Sequence, residues 1–102
     1  METNIYKNAF NSWTCETNIK LSNDREIHIL SMKRWNDRMV TTMVLNKILS
    51  EDADAKVTTP ASKSISLSDE KIRCTRKAVL QHHIDALQDN KSIINNFKQE
   101  NQ

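Results

Sequence analysis

Two adjacent histidines, two distant cysteines and two groups of basic residues are the side chains here whose chemistry reaches beyond packing. His82 and His83 invite a metal or acid–base reading. On a helix, however, neighbouring residues point about 100° apart, so the pair cannot chelate one ion together. His83 also falls within an apolar helical stripe, which predicts a packed imidazole. Cys15 and Cys74 form no CxxC pair, and free thiols are expected rather than a zinc site or a disulfide framework. A set of Cys15, His28, Cys74 and His83 around zinc fails on geometry, because strand alternation puts Cys15 and His28 on opposite faces of a hairpin. Nucleophilic catalysis needs a nucleophile, a base in hydrogen-bond reach and an oxyanion donor set. The Ser, Thr, Asp and Glu residues are accounted for by turns, caps and solvated faces, so neither an enzyme nor a cofactor is expected.

The basic residues offer contact chemistry. Lys33, Arg34, Trp35 and Arg38 surround one hairpin tip with positive charge and a single aromatic ring, suited to phosphate or to an acidic protein surface. Lys71, Arg73, Arg76 and Lys77 form a second group at the start of a helix. A third candidate surface is apolar. Leu30, Met32, Met39, Met43 and Leu45 share the second face of the sheet, and methionine adapts readily to partners.

These side chains need a scaffold, and the stretch 13–49 supplies one. Trp13, Cys15, Thr17, Ile19 and Leu21 alternate with polar residues, as in a strand with one buried face. Ser22-Asn23-Asp24 and Asn36-Asp37 are turn signals. An odd first loop puts Ile19 opposite Ile27. A two-residue second loop pairs Trp35 with Arg38, and hence Lys33 with Val40, Leu30 with Met43, Ile29 with Val44 and His28 with Leu45. Residues 1–12 read as an arm or short helical turn. Residues 50–65 hold an acidic run and the only proline, Pro60, and read as a mobile surface loop, part of which can add a fourth strand. Ser66-Leu67-Ser68-Asp69 resembles a capping box. It predicts a long helix over 66–98, with Ile72, Val79, His83, Ala86, Leu87, Ile94 and Phe97 on one stripe, which would overhang the sheet and so either breaks near 89–90 or packs its end on something else. The expected fold is α+β: a three-stranded antiparallel meander, or four-stranded with the added segment, packed on one long C-terminal helix.

Composition narrows the function. The chain has 102 residues, enough for one domain with one modest core. It contains no glycine, which excludes phosphate loops, dinucleotide fingerprints and EF-hand loops. A net charge of +2 does not by itself argue for nucleic acid. There is no apolar run of membrane-spanning length and no signal-peptide pattern, so a cytoplasmic protein without membrane contact is expected.

A glycine-free, Asn- and Lys-rich chain in which Trp13-Thr14-Cys15-Glu16 opens a meander and Arg73-Cys74-Thr75-Arg76-Lys77-Ala78 opens a helix resembles small accessory proteins of phages and other mobile elements, anti-CRISPR inhibitors among them. The resemblance is one of style and transfers no functional residue. It implies a non-enzymatic protein of the host cytoplasm that binds and modulates a host nucleoprotein complex. On this reading the basic residues meet a protein partner and the Met-rich face assembles a homodimer. A small nucleic-acid binder using the same basic residues is the alternative.

Overall fold

The computed structural model describes residues 2–22, 25–34, 39–48 and 59–100. Five strands form one antiparallel sheet in the order β1-β2-β3-β4-β5, each paired with its neighbour in sequence. They are β1 (Glu2–Lys7), β2 (Trp13–Lys20), β3 (Arg25–Lys33), β4 (Met39–Ile48) and β5 (Thr59–Lys71), followed by α1 (Arg76–Asp89) and α2 (Lys91–Glu100).

The three central strands pair as side-chain parity requires. Ile19 lies opposite Ile27, and Lys33, Leu30, Ile29 and His28 lie opposite Val40, Met43, Val44 and Leu45. Three expectations are corrected. Residues 2–7 form an edge strand rather than an arm or helical turn, with Ile5 opposite Cys15 and Thr3 opposite Thr17. Residues 59–71 form β5, so the helix does not begin at Ser66, and Ser66 pairs with Met43. The C-terminal part is two helices instead of one. Of the expected loop 50–65, residues 50–58 lie outside the described residues.

Why the helix begins ten residues later follows from competing partners. Local sequence favours a cap at Ser66, but Ile65 and Leu67 can bury against the helix-side core only if the segment runs as a strand along β4. A bulge opposite Thr42 and Met43 makes room for both: Thr42 pairs with Ser68 and Met43 with Ser66, leaving Leu67 between them. Thr75 is the true N-cap, its hydroxyl accepting from the Ala78 amide at 3.2 Å. The break between α1 and α2 falls at Asn90, as the sequence suggests. Asn90 has φ −119° and ψ 24°, outside helical values. Its backbone N–H and its side-chain amide both donate to the Ala86 carbonyl, closing α1. Asn11, at φ 61°, fills in the β1–β2 turn the left-handed position that a glycine would otherwise take.

Both helices lie on one side of the sheet, and the core there has two apolar clusters. Ile27, Ile29, Val44, Ile94 and Phe97 form one, where α2 packs. Cys15, Val40 and Val79 form the other, near the start of α1, with Ile5, Trp13, Ile72, Cys74 and Leu80 around them. Between them runs a polar seam. His83, fully buried, places Nε2 2.7 Å from Thr17 Oγ1 and Nδ1 2.7 Å from Ser31 Oγ. Thr17 continues to Thr3 at 2.8 Å and Ser31 to Thr42 at 2.6 Å. A neutral imidazole has one N–H and one acceptor, so His83 donates to one of Thr17 and Ser31 and accepts from the other. The hydroxyl that donates to the ring must in turn accept from its own neighbour, Thr3 or Thr42.

Candidate functional site

The crossover from β5 to α1 brings together residues from the two basic groups. Residues 72–75 leave β5 and cross the sheet end toward β2, where Cys74 Sγ donates to the Trp13 carbonyl at 3.4 Å. Ile72 and Cys74 are half-buried against the Cys15–Val40–Val79 cluster, while Arg73 between them is exposed. The alternation is that of an extended segment with one side on the core. Cys74 therefore packs inward ahead of the helix. Beneath this segment end β3, at Lys33, and β4, which begins at Met39. The register sets Lys33 opposite Val40 and Lys71 opposite Met39, so both lysines sit at the same end of the sheet.

A half-open cavity of about 540 Å³ results, lined by Lys33, Lys71, Ile72, Arg73 and Cys74. Lys33 comes from the predicted hairpin-tip group and Lys71 and Arg73 from the predicted helix-start group. None of the three makes an ion pair with a described residue. Arg34, next to Lys33, lies 3.8 Å from Asp69 with both side chains largely exposed, a surface pair of small energetic weight. Arg76 and Lys77 follow, exposed, in the first turn of α1. Trp35 and Arg38 lie outside the described residues. The two groups looked separate in the sequence because residues 66–71 read as helix. As a strand beside β4, they bring Lys71 to the end of β3.

Comparison with protein-family models, curated proteins and solved structures finds no match.

The opposite side of the sheet is built differently. Leu30, Met32, Met39, Met43 and Leu45 are half-buried there, and the described helices both pack on the other side. One ladder row crosses all five strands as Asn4, Glu16, Leu30, Met43 and Ser66. Next to it stands a polar cluster that the sequence did not announce. Glu16 Oε2 accepts from the Tyr6 hydroxyl at 3.2 Å and lies 2.7 Å from His28 Nε2. His28 is 7% exposed, and its Nδ1 is buried without a partner among the described residues. Partial burial, and then the neighbouring Glu16 charge, raise the Tyr6 pKa. Tyr6 was hidden from the sequence by the misreading of β1.

His82, His83 and Cys15 are buried. Burial, reinforced by His82 and His28, lowers the His83 pKa to about 4, so it is neutral at pH 7. The Ser31–His83 geometry resembles a nucleophile and its base, but Ser31 is fully buried and no substrate reaches it. His82 lies 2.8 Å from Glu70 through Nδ1. Burial and the Glu16 charge push the Cys15 thiol up to about 11, so it stays protonated and inert.

Proposed function

We propose that this chain is a non-enzymatic binding module acting by protein–protein contact, of the kind found among small phage accessory proteins that modulate a host nucleoprotein complex. The observation that carries the reading is the half-covered sheet: Leu30, Met32, Met39, Met43 and Leu45 stay half-buried on the side away from the helices. Adaptable methionine side chains and Leu30 at the centre suit an interface core, since buried area in such contacts is dominated by a few central apolar anchors. The basic end, with Lys33, Lys71 and Arg73, suits the rim, where complementary charge speeds encounter with an acidic partner. The same face serves self-association, and the module works in the cytoplasm without membrane contact.

The alternative, a nucleic-acid binder, draws support from the basic residues Lys33, Lys71 and Arg73 at one end of the sheet. Capture of partners from host lysate with and without nuclease separates the two. Protein capture that survives nuclease and is lost in a folded Leu30→Lys/Met43→Lys variant supports the first reading. Tight DNA or RNA binding with a steep salt dependence, unaffected by that variant, overturns it in favour of the second.

A further inference from the structure

We propose that a second copy of this chain docks on the outer edge of β1, joining two five-stranded sheets into one continuous sheet. The inference goes beyond the protein-contact reading, uses a different surface and stands without it. A sheet in the order β1-β2-β3-β4-β5 has two edges, and they are built differently. In β5, Pro60 lacks an N–H, the register against β4 shifts twice, and Asp69, Glu70 and Lys71 put charge at the end. Those are devices by which proteins keep an edge from pairing. β1 has none of them. Its register on β2 is unbroken from Glu2 to Lys7, it contains no proline, and Thr3, Asn4, Ile5 and Tyr6 between its charged ends are uncharged.

Hydrogen-bond parity tells which groups this edge offers. The Asn8 N–H donates to the Ser12 carbonyl at 2.9 Å, and bonding toward one neighbour alternates along an antiparallel strand. Glu2, Asn4 and Tyr6 therefore turn their backbone groups to β2, and Thr3, Ile5 and Lys7 turn theirs outward. The next turn agrees: the Leu21 N–H donates to the Arg25 carbonyl, which sets the odd-numbered residues of β2 toward β3. The outward groups of Thr3, Ile5 and Lys7 make no hydrogen bond with a described residue.

A second copy fits this edge by symmetry. The two-fold axis of an antiparallel pair stands perpendicular to the sheet, so opposite residues share a face and the register is centred on a single residue. Centred on Ile5, it sets Ile5 opposite its twin and Thr3 opposite Lys7 on either side. All three outward residues then enter hydrogen-bonded pairs, about six bonds in all, and no like charges meet. Centred on Asn4, Lys7 would fall opposite a position before the strand begins. Ile5 packs against the Cys15–Val40–Val79 cluster, and its twin extends that apolar surface across the axis. Helix α1 adds an independent observation. His82 reaches Glu70 on β5, and His83 reaches Thr17 on β2 and Ser31 on β3. Each residue advances about 100° around a helix, so Ile84 falls on the flank opposite His82, the β1 side. It is 38% exposed, and a copy docked on β1 approaches from that flank. The Met-rich side of both copies stays open, so the two surfaces do not compete.

The test joins sedimentation equilibrium with amide hydrogen exchange followed by NMR, both from tens of micromolar to millimolar protein. The expected result is a mass rising toward twice that of one chain, with the Thr3, Ile5 and Lys7 amides exchanging about tenfold more slowly at the high concentration. The Asn4 and Tyr6 amides, bonded to β2, are protected throughout. Lys7→Pro removes one outward N–H from each copy without touching a bond to β2. It should weaken dimerisation about tenfold or more and leave the urea midpoint of the dilute protein little changed. Met43→Lys should keep the dimer. A chain that stays monomeric at millimolar concentration overturns the proposal, as does a doubled mass with the three amides still exchanging at the monomer rate. So does a folded Lys7→Pro variant that dimerises as tightly as the parent, or loss of the dimer in Met43→Lys. Protection of the three amides only when a protein captured from host lysate is added also overturns it, and would assign the edge to a foreign strand.

Discussion

His83 couples the stability of the fold to pH. Its folded pKa of about 4 lies below the ordinary value of 6.5, because burial disfavours the charged imidazolium. The neutral form is thus favoured by folding. The associated stability is fully present above pH 6.5 and is lost as pH falls from there through about 4. The shift corresponds to about 3 kcal/mol at full effect. Urea unfolding followed across that window should show the midpoint falling as pH drops. A His83→Gln variant, which keeps a donor and an acceptor without titrating, should fall less steeply. Truncation to His83→Ala should cost more at every pH, about 3–5 kcal/mol, by opening a cavity and stripping Thr17 and Ser31 of their shared partner.

At the level of elements, α1 is built against its own electrostatic interest. Its first turn contains Arg76 and Lys77 and no acidic residue, at the end where the helix dipole is positive. Lys77→Glu should therefore stabilise the protein by about 0.3–1 kcal/mol in thermal unfolding. The same change should weaken capture of an acidic partner, a trade expected where charge serves contact rather than folding. Thr75→Ala removes the hydroxyl that satisfies Ala78 N–H and should cost about 1 kcal/mol. Elements also differ in how far the sequence announced them. The registers of β2, β3 and β4 were legible because each strand alternates and a one-residue slip would invert every face. The helix break at Asn90 was one of two readings the sequence left open. β1 was not legible and β5 only as a short optional fourth strand, for a common reason: both are edge strands with few apolar residues of their own. Their conformation is set by the neighbour they pair with. In β5 the Ser66-to-Asp69 spacing mimics a cap that tertiary pairing overrides.

For the molecule as a whole, the decisive asymmetry is a sheet with helices on one side only. Residues on the covered side were foreseen as core, and those on the other as a surface awaiting company. The basic cavity needed β5 in place before Lys71 and Arg73 could be seen beside Lys33. If the uncovered side is an interface, its apolar residues contribute little to the stability of the isolated chain. Met43→Lys should then leave the urea midpoint of the dilute protein nearly unchanged, within about 1 kcal/mol, while abolishing any light-scattering mass beyond that of the β1-paired dimer. A large loss of stability in dilute solution would instead mean that Met43 belongs to the core of a single chain.

The polar seam has one more consequence, for how the chain reaches its fold. Its members come from β1, β2, β3, β4 and α1. A slip by one residue in any of the hairpins turns a hydroxyl to the far side of the sheet and leaves a neighbour with a buried, unsatisfied group. The two apolar clusters, greasy and tolerant, would accept several such near-misses; the seam accepts one arrangement. It works as a proofreading step that closes only when α1 arrives. The sheet formed without that helix would be an assembly whose register is still negotiable, and fragments ending before Thr75 should populate it as an ensemble instead of a single structure.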